Sequence, residues 1–157
     1  MMPERRKISF ASLDAATLEA EQLLGSGYEK AGNWNFGQVC GHLENWLSYP
    51  MDGFPKVDSP ADSAADPEAA EAGKAMLQNI LDNGFPLGVP TNPDTIPAED
   101  SVSDQAALSR LREVVQRFSA YEGEIADSPF FGLMDKQAVL SLQLRHFAHH
   151  LGFLIPK

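Results

Sequence analysis

The chain has 157 residues, a length that suits one domain able to bury an apolar core. Its 22 acidic residues outnumber 12 basic ones, and this formal charge of -10 argues against binding to nucleic acid or to an anionic membrane surface. The single cysteine excludes an internal disulfide framework, and neither a signal peptide nor a membrane span is recognised, so we expect a soluble cytoplasmic protein.

Five segments carry apolar residues at three- and four-residue intervals and begin near a capping residue or a proline. We predict helices over these segments, at about residues 13–24, 36–49, 67–83, 103–121 and 135–154. In the second segment, His42 lies on the same apolar stripe as Val39 and Trp46. The second predicted helix therefore turns one histidine toward the core.

Irregular connections separate these helices. Residues 55–66 are rich in Pro, Asp, Ser and Ala and predict a surface loop, while residues 85–102 contain four prolines and predict a binding loop or a disordered segment. Residues 28–32 and 129–133 are predicted turns, and neither a β-hairpin nor a repeat is recognised. The pattern predicts a single all-α domain over residues 1–157: an up-down four-helix bundle with an extra shorter helix, the third, and two long loops.

The four histidines occupy only two places in the sequence. His42 is alone, whereas His146, His149 and His150 are clustered near the carboxyl end. Residues four apart on a helix differ by about 40° in azimuth and about 6 Å along the axis, so His146 and His150 could hold one metal ion, with His42 completing a three-histidine site. Metalloproteases of the His-Glu-x-x-His type are excluded, because Phe147 and His149 occupy the positions of the possible glutamate bases. The alternative is that all these histidines are hydrogen-bonded core residues.

Several neighbours of the predicted ligands are candidates for supporting roles. His149 lies about 60° to the other side of His146 and is a catalytic base, a substrate contact or a plain rim residue. Asn45 and Gln143 are close in azimuth to a predicted ligand and could hydrogen-bond to it. Arg145 could pair with an anionic substrate. For each of the last three residues, a structural or solvated role is the alternative.

Cys40 and five aromatic residues are interpreted as core or pocket side chains. Cys40 lies two residues before His42, about 200° around the helix, and is predicted to be a small buried side chain rather than a ligand or nucleophile. Five aromatic residues could line an apolar pocket or pack in the core: Trp34, Trp46, Phe130, Phe131 and Phe153.

Taken together, these segments resemble the DinB-like superfamily of bacterial metal-binding four-helix bundles, and more narrowly an uncharacterised branch of it. The resemblance covers nearly the whole chain. It is carried by RKISF at residues 6–10, GNWNFGQVCGH at 32–42, PFFG at 129–132 and RHFAHHLGFL at 145–154. The superfamily pattern is one histidine on the second helix and a His-x-x-x-His pair on the last main helix, which His42, His146 and His150 match.

The resemblance implies a divalent metal ion, zinc or nickel, held by these three histidines, and a homodimer is compatible with it. Characterised relatives include thiol-dependent S-transferases and a maleylpyruvate isomerase that use a low-molecular-weight thiol. The expected function is therefore that of a metal-dependent thiol S-transferase, hydrolase or isomerase acting on a small molecule. The alternative is a non-catalytic, metal-stabilised binding module. Many relatives have Arg-Gly-Gln after the last ligand, where this chain has Leu151, Gly152 and Phe153.

Overall fold

The computed structural model describes residues 4–54, 67–85, 95–99, 101–126 and 134–157. These residues are mainly helical, as the predicted all-α class requires, and also form one small two-stranded sheet. The elements in chain order are α1 (Leu13–Ser26), β1 (Tyr28–Lys30), α2 (Phe36–Asp52), α3 (Pro67–Asn83), α4 (Asp104–Ala120), α5 (Lys136–Leu151) and β2 (Leu154–Pro156). The predicted loop 55–66, most of the proline-rich connection and the 129–133 turn lie outside the described residues.

Polar side chains fix where four of the helices begin. Ser12, Ser103 and Asp135 each accept a hydrogen bond from the backbone N–H three residues later, at α1, α4 and α5. At α2, Asn35 and Gln38 form a reciprocal capping box, with each side chain accepting from the other's backbone N–H. These bonds satisfy backbone donors that have no partner within the helix, so the predicted helix starts are confirmed.

The carboxyl end of the chain differs from the prediction. The last helix ends at Leu151 rather than near residue 154. The chain then forms β2, which pairs antiparallel with β1, and β1 lies within residues 28–32, where a turn was predicted. The amino-terminal segment provides the reason, because the Arg6 N–H donates to the Gly152 carbonyl at 2.8 Å and its guanidinium donates to the Leu154 carbonyl. A Cβ at Gly152 would lie 2.5 Å from the Arg6 carbonyl oxygen, so this crossing requires glycine.

The shared apolar core is built mainly from one face each of α1, α2, α4 and α5. Its largest fully buried apolar side chains include Phe36, Phe118 and Phe147, on three of these helices. The third helix packs against α5 and adds Ile80 to the core. It has 17 residues, as do α2 and α4, so the prediction that it is shorter is wrong. None of the helices in the described ranges is both long and apolar enough to cross a bilayer.

Candidate metal centre

Three histidines from two helices meet in the core. The Nε2 atom of His146 lies 3.2 Å from Nε2 of His42 on α2 and 3.1 Å from Nε2 of His150 one turn further along α5. The three candidate ligand atoms all lie within 4.8 Å of one another. Ligand bonds of roughly 2.0–2.1 Å that meet at octahedral or tetrahedral angles place donor nitrogens about 2.9–3.4 Å apart. The two measured separations therefore fit the ligand spacing around one small metal ion.

The close packing of residues 95–99 on α2 sets the surroundings of His42. A Cβ at Gly41 would lie 2.3 Å from Cγ of Pro97, so only glycine permits this approach. As a result Thr95 is buried beside His42, whose own side chain is 1% exposed. The sequence offers no spacing rule that would place Thr95 here, because the contact spans 53 residues of chain.

The tautomer of His42 follows from its neighbours. Its Nδ1 lies 3.3 Å from the carbonyl oxygen of Thr95, and Asn45 Nδ2 donates to the same oxygen at 3.0 Å. The Thr95 hydroxyl oxygen also lies 3.3 Å from Nδ1 and can donate or accept, whereas the carbonyl oxygen can only accept. A proton on Nδ1 satisfies both oxygens, so we assign His42 this tautomer, which leaves a lone pair on Nε2. Asn45, a predicted supporting residue, thus acts on His42 through the Thr95 carbonyl rather than by direct contact.

A parallel chain of hydrogen bonds fixes His146. Pro50, in the last turn of α2, has no N–H to offer the Trp46 carbonyl four residues earlier, and Gln143 Nε2 lies 3.4 Å from that oxygen and donates to it. This orientation turns Gln143 Oε1 toward His146 Nδ1 at 3.2 Å. The amide oxygen accepts, so His146 Nδ1 is protonated and its Nε2 also carries a lone pair.

All three imidazoles are neutral at pH 7. Burial lowers the pKa of His42 to about 4, and burial followed by the neighbouring imidazoles lowers the pKa of His146 and of His150 well below the usual value. With the protons on the outer nitrogens, the Nε2 lone pairs of His42 and His146 face each other across 3.2 Å with no hydrogen between them. A cation between these atoms would relieve their repulsion, so the chemistry of the donor set fits a divalent metal.

Aromatic rings enclose the three imidazoles. Trp34 stacks on His150, with 4.9 Å between ring centroids and 13° between ring planes, and meets His42 edge-on. Trp46 is edge-on to His146. Phe85, which sequence reasoning missed, has its ring centroid 5.0 Å from that of His146. The candidates Phe130 and Phe131 lie outside the described residues, and Phe153 contacts His149 instead.

His149 and Arg145 are not among the three candidate ligands, although the ring of His149 contacts that of His150. The His149 Nδ1 lies 3.4 Å from Nη2 of Arg5, and burial, followed by this guanidinium, lowers its pKa to about 4. Arg145 donates to the carbonyl of Leu81 at 2.7 Å and to the carbonyl of Ser141 at 2.8 Å. Its Nε atom therefore joins the end of α3 to α5, while Nη1 bonds within α5.

Cys40 is fully buried, and burial raises the pKa of its thiol. It lies outside the group of candidate metal ligands found among the described residues. Its interpretation as a small apolar core residue is confirmed.

Comparison with known proteins gives one match. A family model described as a protein of unknown function (DUF1569) matches residues 2–157, which is nearly the whole chain. No curated protein and no solved structure matches the chain.

Proposed function

We propose that this chain, which belongs to the DUF1569 family, binds one divalent metal ion through Nε2 of His42, His146 and His150. The reason is that these three histidines converge in the core. The observation that carries this proposal is the pair of outer hydrogen bonds at His42 and His146, which leave bare Nε2 atoms 3.2 Å apart. A core histidine that serves only packing has no need of such an arrangement. Second-sphere bonds of this kind are typical of metal-ligating histidines.

The same pattern supports placing the fold in the DinB-like superfamily. One ligand comes from the second helix and a pair separated by four residues comes from the last. Four of the five helices supply most of the apolar core around them. We therefore propose a DinB-like four-helix bundle in which α3 is the additional helix.

Three neutral nitrogen donors suit zinc or nickel and leave coordination positions for exogenous ligands. A bound ion would supply Lewis acidity, which lowers the pKa of a coordinated thiol or water and favours the nucleophilic form. We propose that the protein uses this chemistry on a small molecule, as a thiol S-transferase, a hydrolase or an isomerase with a low-molecular-weight thiol as cosubstrate.

The chain's own residues would prepare the site before any substrate arrives. The Thr95 carbonyl and the Gln143 amide orient two ligand rings, while Trp34 and Trp46 limit the access of water. His149, our candidate base, is neutral at pH 7 and can accept a proton, although its Nδ1 already faces Arg5. Arg5 can only donate, so Nδ1 is the accepting nitrogen and the neutral ring carries its proton on Nε2. His149 would therefore act as a base through Nδ1, after its contact with Arg5 is broken.

Metal content tests the binding proposal directly. Purified wild-type protein, dialysed and reloaded with zinc or nickel, should hold about one ion per chain by elemental analysis. His42→Ala and His150→Ala should lose the ion, because two nitrogens bind a divalent metal much more weakly than three. His149→Ala is the matched control, since it removes an adjacent imidazole outside the cluster and should retain the metal. Equal metal content in all four proteins, or none in the wild type, contradicts the proposal.

A non-catalytic metal-stabilised binding module is the second candidate. It is favoured by the burial of His42 and His146, which are 1% and 7% exposed, because an ion there would join α2 to α5 deep in the core. Metal-loaded protein should be assayed with glutathione, bacillithiol, mycothiol or water against a panel of electrophiles. Turnover that is lost in His42→Ala supports the enzyme, whereas full metal occupancy without turnover across the panel supports the binding module.

A further inference from the structure

A cavity of about 550 Å³ lies beside the metal centre without including it. It is formed by the amino-terminal segment, the carboxyl end of α3 and one face of α5. The rings of Phe85 and His149 border it, and each also contacts a proposed ligand, with 5.0 Å from Phe85 to His146 and 4.9 Å from His149 to His150. Its volume is in the range of small-molecule sites.

The described lining of this cavity has an excess of positive charge. It includes three cations, Arg5, Lys7 and Arg145, and one carboxylate, that of Asp82, which accepts a hydrogen bond from Gln78 at 3.0 Å. Three cations against one carboxylate is the opposite of the whole chain, which carries a formal charge of -10. A concave basic site on an acidic protein attracts anions selectively, because the surrounding surface repels them.

Arg5 is the cation best placed to bind a ligand. Its Nε is buried and has no hydrogen-bond partner among the described residues, and its recorded contacts are with the His149 ring nitrogen and the face of Phe153. The next residue, Arg6, is instead paired with Glu19 at 2.7 Å. Nitrogens of Arg145 are bound to backbone carbonyls, whereas Arg5 contacts only a ring nitrogen and a ring face among the described residues, so its guanidinium is the freer of the two to pair with an anion.

Apolar side chains complete the lining of the cavity. Phe10 and Leu144 belong to its lining, and both pack on the edge of the main core. A ligand that complements both the cations and the apolar side chains needs an anionic group and an apolar body. We propose that the cavity binds a small organic anion, with its carboxylate or phosphate on the Arg5 guanidinium and its apolar part against Phe10 and Leu144. This site does not depend on the proposed metal.

Calorimetric titration of the full chain with phenylacetate, phenyl phosphate and uncharged phenylacetamide tests this site. At least one of the anions should bind, the amide should bind at least about tenfold more weakly, and the ratio of the two anions distinguishes a carboxylate site from a phosphate site. Arg5→Gln should weaken binding by about tenfold or more. Arg112→Gln, which removes the same charge from α4, should change it by less than about twofold.

Two further measurements keep the test decisive. In wild-type protein, the bound anion should shift the backbone amide resonances of Gly84 and Ala148, which line the cavity, so the result does not depend on the folding of a variant. Binding should also persist in protein freed of metal and chelator, because the cavity does not include the proposed ligands. The proposal would be overturned if Arg5→Gln bound the anion as tightly as wild type, or if the amide bound as tightly as the anion. It would also be overturned if the shifts were confined to other residues or if binding were lost with the metal.

Discussion

Two groups that are not ligands, one on the backbone and one on a side chain, decide what the central histidines can do. The Thr95 carbonyl and the Gln143 amide oxygen both accept from an Nδ1 atom, and this leaves the Nε2 atoms free to bind. The orientation of Gln143 depends in turn on Pro50, which leaves the Trp46 carbonyl without its intrahelical donor. A proline in α2 therefore contributes to the tautomer of a histidine in α5.

Replacing Gln143 tests this chain of hydrogen bonds. Gln143→Met removes the acceptor at similar volume, so His146 can adopt the other tautomer, and we expect metal affinity to fall by roughly 10–100-fold. Gln143→Glu keeps an acceptor oxygen facing Nδ1 and should retain more affinity than the methionine variant. Competition with a chromophoric chelator measures both values.

The control for this comparison is Gln116→Met, an identical change at an exposed position of α4. It should leave metal affinity unchanged. A loss in Gln116→Met as large as that in Gln143→Met would show that the effect is not specific to His146.

At this scale the sequence predicts residues that are near the ligands on the same helix. Helical spacing indicated His42, His146 and His150, and it also indicated Gln143 and Asn45. It could not indicate Thr95, Phe85 or Arg5, because their contacts with the histidines join distant parts of the chain. Periodicity carries information about one helix face and none about which loop covers it.

At the scale of elements, helix starts were predictable but two helix ends were not, because α2 continues through Pro50 to Asp52 and α5 stops at Leu151. A capping side chain acts on backbone groups within three residues, so Asn35 and Asp135 could be identified locally. The end of α5 is determined by Arg6, from the opposite end of the chain, and by Gly152, which permits the crossing. The β1–β2 pairing then forms because the released chain runs beside residues 28–30.

The packing of residues 95–99 on α2 depends on Gly41. In Gly41→Ala the new methyl group would lie 2.3 Å from Cγ of Pro97, so the segment must move away from the helix. We expect a loss of about 1–3 kcal/mol in the free energy of unfolding, and weaker metal binding as the Thr95 carbonyl leaves His42. Denaturant titration and chelator competition measure the two effects.

Gly25→Ala in α1 is the matched control, because a Cβ at Gly25 meets nothing within 4 Å. Alanine there should stabilise the protein by up to about 1 kcal/mol, since it lowers the entropy of the unfolded chain and favours the helix. If Gly41→Ala proved as stable and as metal-competent as Gly25→Ala, the proposed role of this close approach would be wrong.

For the whole molecule, the spacing of apolar residues predicted the helical class but not the arrangement around the site. The protein is acidic as a whole but has a basic cavity, and the net charge of -10 gives no indication of that cavity. The cavity and the histidine cluster share Phe85 and His149 as a common wall. A ligand in one site would therefore lie close to the ion in the other, an arrangement that suits either the enzyme or the binding module.

Metal removal should destabilise the entire chain rather than one helix, since the proposed ligands join α2 to α5 inside the shared core. Free metal at about 100 times its dissociation constant adds about 2.7 kcal/mol to the free energy of unfolding. For a protein of this size each kcal/mol shifts Tm by roughly 2–4 °C, so the chelated protein should melt roughly 5–10 °C lower. Scanning calorimetry with and without zinc measures the shift. His149→Ala should show the full shift and His42→Ala almost none, and a shift of the same size in His42→Ala would mean that the ion stabilises the protein from another place.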